Sequence, residues 1–184
     1  MNLLIDKLPD EYEGLKINTN FRSFILFELL MQDNKIKEKE KILLSLKLFY
    51  DNPPKNVKKG IEAILWFYRC GEDLKKSKKE EKQQKKQIYS YEYDAKYIYS
   101  AFLDQYGIDL NEIDHLHWFK FKALFEGLKS DNKICEIMGY RAIDISKIKD
   151  KNEKTKYKKL QRQFALPDNR TIEEKEQDFA NALW

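Results

Sequence analysis

The chain has 184 residues, of which 42% are hydrophobic, 14% aromatic and 36% charged, so it can build a core yet must keep some segments in water. With 6 Gly and 4 Pro it is too poor in turn-formers for a fold of many short hairpins, and a net charge of +4 from 35 bases and 31 acids is too balanced to point to nucleic acid. Two cysteines exclude a disulfide framework, no apolar run reaches the ~20 residues of a membrane helix, and the apolar stretch before Asp6 is too short for a signal peptide.

Leu3-Leu4-Ile5, Leu8-Pro9 and Leu15-Lys16-Ile17 predict a short extended hairpin around Glu13-Gly14, marginal unless it packs on helices. Helical signals begin at Thr19, a residue type suited to an N-cap, and Phe21, Phe24, Ile25, Leu29 and Met31 form a broad apolar face as far as Asp33. A second helix is expected from Ile36 to Tyr50, charged at its start and almost wholly apolar from Ile42 onward. Asp51-Asn52-Pro53-Pro54 stops it, because prolines remove backbone donors and push the preceding residue out of the helical region. Val57, Ile61, Ile64, Leu65 and Tyr68 then mark one clean face of a third helix, which Gly71 ends.

Residues 72–87 carry seven lysines, four acids and a single aliphatic residue, Leu74. Such a segment buries too little to fix itself and reads as a charged linker or a solvated helix. The expected architecture is therefore mainly α, a helical bundle in two halves: 1–71 with a short N-terminal β-hairpin, 72–88 as the charged connection, and 89–184. The second half opens on Tyr89, Tyr91 and Tyr93, continues with Ala95, Ile98, Phe102 and Tyr106 in a helix closed by Gly107, and reaches its strongest aromatic stripe in His117, Trp118, Phe121 and Phe125. A short helix around Ile134–Met138, an irregular stretch at 140–148, a basic helix over 149–163 and a last helix over 171–183 complete the chain.

No glycine-rich phosphate loop, nucleophile elbow, H-E-x-x-H or C-x-x-C is present. No catalytic residue, cofactor or metal is assigned, and the chain is expected to bind rather than catalyse. His115 and His117 lie two residues apart, a spacing that suits one metal only in an extended segment; the simpler reading makes His117 a cap of the aromatic helix. Cys70 and Cys135 flank apolar helices and read as buried free thiols of a cytoplasmic protein. Lysines 75–86 and 147–159 are the best polyanion candidates. Interleaved acids and few arginines (Arg22, Arg69, Arg141, Arg162, Arg170) favour solvated faces instead. Aromatics exceed the needs of two small cores, and Tyr97, Trp118, Phe179 and Trp184 are the candidate protein-binding residues.

Several blocks carry a resemblance: Ile17-Asn18-Thr19-Asn20-Phe21-Arg22, Phe67-Tyr68 with Gly71, Tyr93-Asp94, Tyr97-Ile98-Tyr99 with Ala101-Phe102, Tyr106-Gly107-Ile108-Asp109-Leu110, Leu116-His117-Trp118 with Phe121, and Tyr140-Arg141. In order and spacing they resemble the bacteriophage gene-product-fifteen family of Gram-positive phages and prophages, with two departures: Asn20 where the family often has Asp, and a longer lysine-rich insert. The resemblance implies a tail-morphogenesis protein acting in the host bacterial cytoplasm as a tail assembly chaperone. Its client would be the tape measure protein, with the tail tube protein and a second copy of itself as further partners. The alternatives are a structural tail component retained in the virion and, least favoured, a nucleic-acid-binding regulator.

Overall fold

A computed structural model describes residues 2–72 and 87–167 of the chain. It is mainly α: a two-residue-per-strand hairpin, β1 (Glu11–Tyr12) and β2 (Leu15–Lys16), precedes α1 (Phe21–Gln32), α2 (Glu38–Phe49), α3 (Val57–Tyr68), α4 (Ala95–Tyr106), α5 (Trp118–Glu126), α6 (Lys133–Ala142) and α7 (Lys151–Gln163). The described residues fall into two compact units, one up to Ile143 and the other from Asp144 onward.

The hairpin turns where the sequence predicts. Glu13 (φ 48°) and Gly14 (φ 78°) are both left-handed, the backbone a two-residue hairpin turn requires. Its ornaments hold it to α3: Lys59 reaches the Glu13 carboxylate at 3.2 Å, and the Tyr12 ring sits 5.0 Å from that of Trp66.

Asn20, not Thr19, caps α1, its side chain accepting from the Arg22 amide at 3.1 Å. Thr19 is committed elsewhere, because its carbonyl accepts from the Trp118 amide at 2.8 Å in an isolated antiparallel bridge that pairs Asn20 with His117. Asn56 caps α3 through the Lys59 amide, and Gly107 (φ 65°) ends α4 in the left-handed conformation. Helix α6 extends to Ala142, beyond the short segment expected, and the irregular stretch begins only at Ile143.

Helix α2 buries Leu46 and Phe49 yet also turns two polar residues inward and three aliphatic ones outward. Lys41 is 5% exposed and Ser45 lies against the core with it, while Ile42, Leu43 and Leu44 face out. The inward lysine is satisfied: its ammonium donates to the Met31 carbonyl at the end of α1 at 2.9 Å and pairs with Glu38 at 3.3 Å, a cation placed where a helix C-terminus is negative. Gly60 lets α3 approach α2, since a Cβ there would lie 2.9 Å from Leu46 Cδ2 and 2.8 Å from Pro54 Cγ.

Helix α5 is the hub of the larger unit, packing on α1, α3 and α4. Its Trp118 stacks on Phe24 (5.0 Å) and Tyr68 (5.9 Å), and its Phe121 stacks on Phe21 (5.0 Å) and Phe102 (5.1 Å). Each such buried ring contributes roughly 1.5–3 kcal/mol through apolar burial. The residues before and after the lysine-rich segment thus share one hydrophobic cluster, and the unit boundary falls after Ile143 instead. Within the smaller unit, Asp150 caps α7 by accepting from the Glu153 amide at 2.7 Å, and Tyr157 and Leu160 on the helix and Phe164 just after it, the predicted face, are half-buried.

Candidate functional site

An apolar groove opens between α1 and α4. Phe21 and Phe121 form its floor with Tyr91, Ile25 forms one wall, Ala95, Ile98 and Tyr99 the other, and Leu110 and Asn111 overhang it; its volume is about 250 Å³. The helix periodicity produces this: Phe21 and Ile25 are one turn apart on α1, as are Ala95 and Tyr99 on α4.

The overhanging loop, residues 107–117, is pinned from both helices. Tyr99 donates its hydroxyl to Asp109 at 2.9 Å, and the other Asp109 oxygen accepts from the Asn111 and Glu112 amides. These donors, the Asn111 amide foremost and the Tyr99 hydroxyl next, hold the Asp109 carboxyl below the usual carboxylate range. From α1 the Arg22 guanidinium donates to the carbonyls of Leu110 (2.9 Å), Asn111 (3.2 Å) and Asp114 (3.4 Å) while its planar face covers the Phe21 ring at 4.9 Å. The fork geometry of arginine suits several acceptors at once. Asn20 adds a bond from its amide nitrogen to Asp114 at 3.0 Å.

His117 closes the loop. Its Nδ1 accepts from the Phe119 amide at 3.1 Å, capping α5, and its Nε2 lies 2.9 Å from the Pro9 carbonyl. A carbonyl only accepts and an amide only donates, so the ring is the neutral tautomer protonated at Nε2. Burial accordingly lowers the His117 pKa from its usual 6.5. His115 is exposed and faces Thr19 instead, 3.4 Å from its hydroxyl. The two histidines do not converge, and among the described residues no group of three or more His, Cys, Asp or Glu side chains is arranged to hold a metal.

Behind the groove, Asp94 and Arg141 form a buried clasp at the start of α4. The guanidinium meets the carboxylate through two bonds of 2.6 and 3.0 Å and also donates to the Ile88 carbonyl at 3.0 Å. The same carboxylate accepts from the Ser90 amide at 2.9 Å. It fixes residues 88–94, including Tyr91, to α6. Beside α1, Tyr68 donates to Glu28 at 2.8 Å, and burial raises the Glu28 carboxyl above its usual 4.5.

Of the candidate binding residues, Tyr97 is half-buried on α4, with the Lys96 ammonium 4.9 Å from its ring centroid. Trp118 belongs to the core and not to a contact surface: it is 1% exposed, and its indole N–H donates to the Tyr68 carbonyl at 3.1 Å. Phe179, Trp184, the segment 73–86 and the last predicted helix lie outside the described residues. Cys70 and Cys135 are half-buried rather than buried; burial pushes the Cys70 thiol up to about 11, away from the thiolate a nucleophile requires. Sequence reasoning did not single out Arg22, Tyr99, Asp109 or Asp94 as a working set, although all four lie in the blocks that carry the family resemblance.

These features define a mainly helical protein with an apolar groove held open by a polar clamp. The family model for Bacteriophage Gp15 protein matches residues 4–166, and the chain belongs to that bacteriophage family. No curated protein and no solved structure matches it. Among the described residues no helix is long and apolar enough to cross a membrane.

Proposed function

We propose that this phage protein is a tail assembly chaperone that binds the tape measure protein in the cytoplasm of a Gram-positive host and catalyses no reaction. The observation that carries this reading is the groove between α1 and α4, lined by Phe21, Ile25, Ala95, Ile98 and Phe121. Its size and lining suit the apolar anchors of an amphipathic helix, the mode in which a long helical client is held. The half-buried thiols support binding over catalysis, since burial raises the pKa of both.

Co-expression with the tape measure protein of the same phage tests the proposal. The expected result is a soluble complex that co-purifies and elutes as a larger species in light-scattering chromatography. Ala95, exposed at the groove wall, provides the control: Ala95→Glu places a carboxylate at the groove without disturbing the core and is expected to abolish the complex. A client that gains no solubility and does not co-purify overturns the reading. Mass spectrometry of purified virions separates a chaperone, absent from the particle, from a structural component that remains in it.

A further inference from the structure

The outward face of α2 has a symmetry that the groove does not explain. Along it stand Glu40, Leu43, Leu44 and Lys47, spaced i, i+3, i+4, i+7, all exposed. The two leucines are exposed, Leu43 at 59% and Leu44 at 37%. A helix that directs Lys41 inward and leucines outward is apolar where solvent should be, the signature of a face that meets another surface.

The charges say which surface. A two-fold axis passing between Leu43 and Leu44 relates position 40 to position 47 and position 43 to position 44. Two α2 helices crossed antiparallel about that axis place Glu40 of each copy against Lys47 of the other, with the four leucines between them. The opposed helix dipoles add to this arrangement. A parallel pairing sets Glu40 against Glu40 and Lys47 against Lys47, and is disfavoured by like-charge repulsion. Neither Glu40 nor Lys47 makes an ion pair within the described residues.

We infer that the α2 face is an isologous dimer interface whose occupant is α2 of a second copy of this chain, in antiparallel register about Leu43 and Leu44. One helix pair covers a small area, so the dimer belongs to the weak, transient class with a dissociation constant in the range of roughly micromolar to tens of micromolar. This surface lies on α2, whereas the client reading rests on α1 and α4, and the test uses the chain alone; the failure of one leaves the other standing.

Sedimentation velocity of the full chain from about 1 to 500 µM tests the inference. A concentration-dependent monomer–dimer equilibrium is expected. Glu40→Lys and Lys47→Glu each convert two attractive pairs to two repulsive ones and are expected to weaken association about tenfold. The double reversal, carrying both substitutions, restores the opposed charges and is expected to recover the original affinity. Leu43→Ser with Leu44→Ser abolishes the dimer. All four positions are exposed, and far-UV circular dichroism is expected to be unchanged in every variant. A monomer throughout the concentration range overturns the inference. So does a dimer indifferent to the single reversals, or one that the double reversal fails to restore.

Discussion

Two helix glycines allow the closeness of α2 and α3 to be measured by one chemical change with opposite expected signs. Gly139 on α6 has nothing within 4 Å of where a Cβ would stand. Gly139→Ala therefore gains only helix propensity, about 1 kcal/mol. Gly60 on α3 gains the same propensity, yet its Cβ would sit 2.8 Å from Pro54 Cγ and 2.9 Å from Leu46 Cδ2, well inside the ~3.5–4.0 Å of favourable carbon contact. The proline ring cannot rotate away, Leu46 is packed in the core, and the Gly60 carbonyl is held by the Tyr50 hydroxyl at 2.9 Å. Overpacking of this kind costs roughly 1–3 kcal/mol, so Gly60→Ala is expected to lose about 1 kcal/mol net of the propensity gain. Urea titrations followed by circular dichroism read both changes as shifts in midpoint at constant slope, and melting temperature should move by about 2–4 °C in opposite directions. If Gly60→Ala stabilises as much as Gly139→Ala, the close approach of α2 and α3 is refuted.

Removing one partner of the buried clasp, as in Asp94→Ala, is expected to cost about 3–5 kcal/mol, and Arg141→Lys should recover little because the two-bond fork is lost; equilibrium unfolding measures both. For His117, the folded imidazole titrates below the unfolded value of 6.5, so near that pH the unfolded chain binds more protons and stability rises with pH. The contribution is present above 6.5 and is lost as pH falls toward the folded pKa; in His117→Asn, which keeps a capping side chain without a titrating ring, this part of the slope should vanish from stability curves taken between about pH 5 and 7. Glu28 has the opposite sign, its raised pKa meaning that burial penalises the charged form. Glu28→Gln is thus expected to stabilise the fold at neutral pH, with the advantage shrinking as pH falls through the carboxyl range.

Periodicity alone located α3 and α4, because Val57 to Tyr68 and Ala95 to Tyr106 each repeat on one face, and the turn at Glu13-Gly14 and the His117 cap were legible from local chemistry. Choosing Asn20 over Thr19 as a cap was not, since both residue types suit the position and a bond from Trp118 decides between them. The orientation of α2 was hidden for a similar reason: the acceptor that allows Lys41 inside is the carbonyl of Met31 on another helix. An aromatic run cannot say which of its rings is covered, so Trp118 read as a surface residue. The clamp on the groove was least visible, because Arg22 meets carbonyls 88 to 92 residues further along the chain and Asp94 meets a guanidinium 47 residues away.

The sharing of one core across the lysine-rich segment governs how the chain comes into being. As it leaves the ribosome, α1 to α3 emerge with Phe24 and Phe67 already in place but without the α5 rings that cover them. Synthesis must pass residue 121 before Phe121 can reach Phe21, and the bond between His117 and Pro9 closes a span of 108 residues. Contacts this distant form later than the local packing of neighbouring helices, and they leave the aromatic faces of the first three helices uncovered until the centre of the molecule has been made.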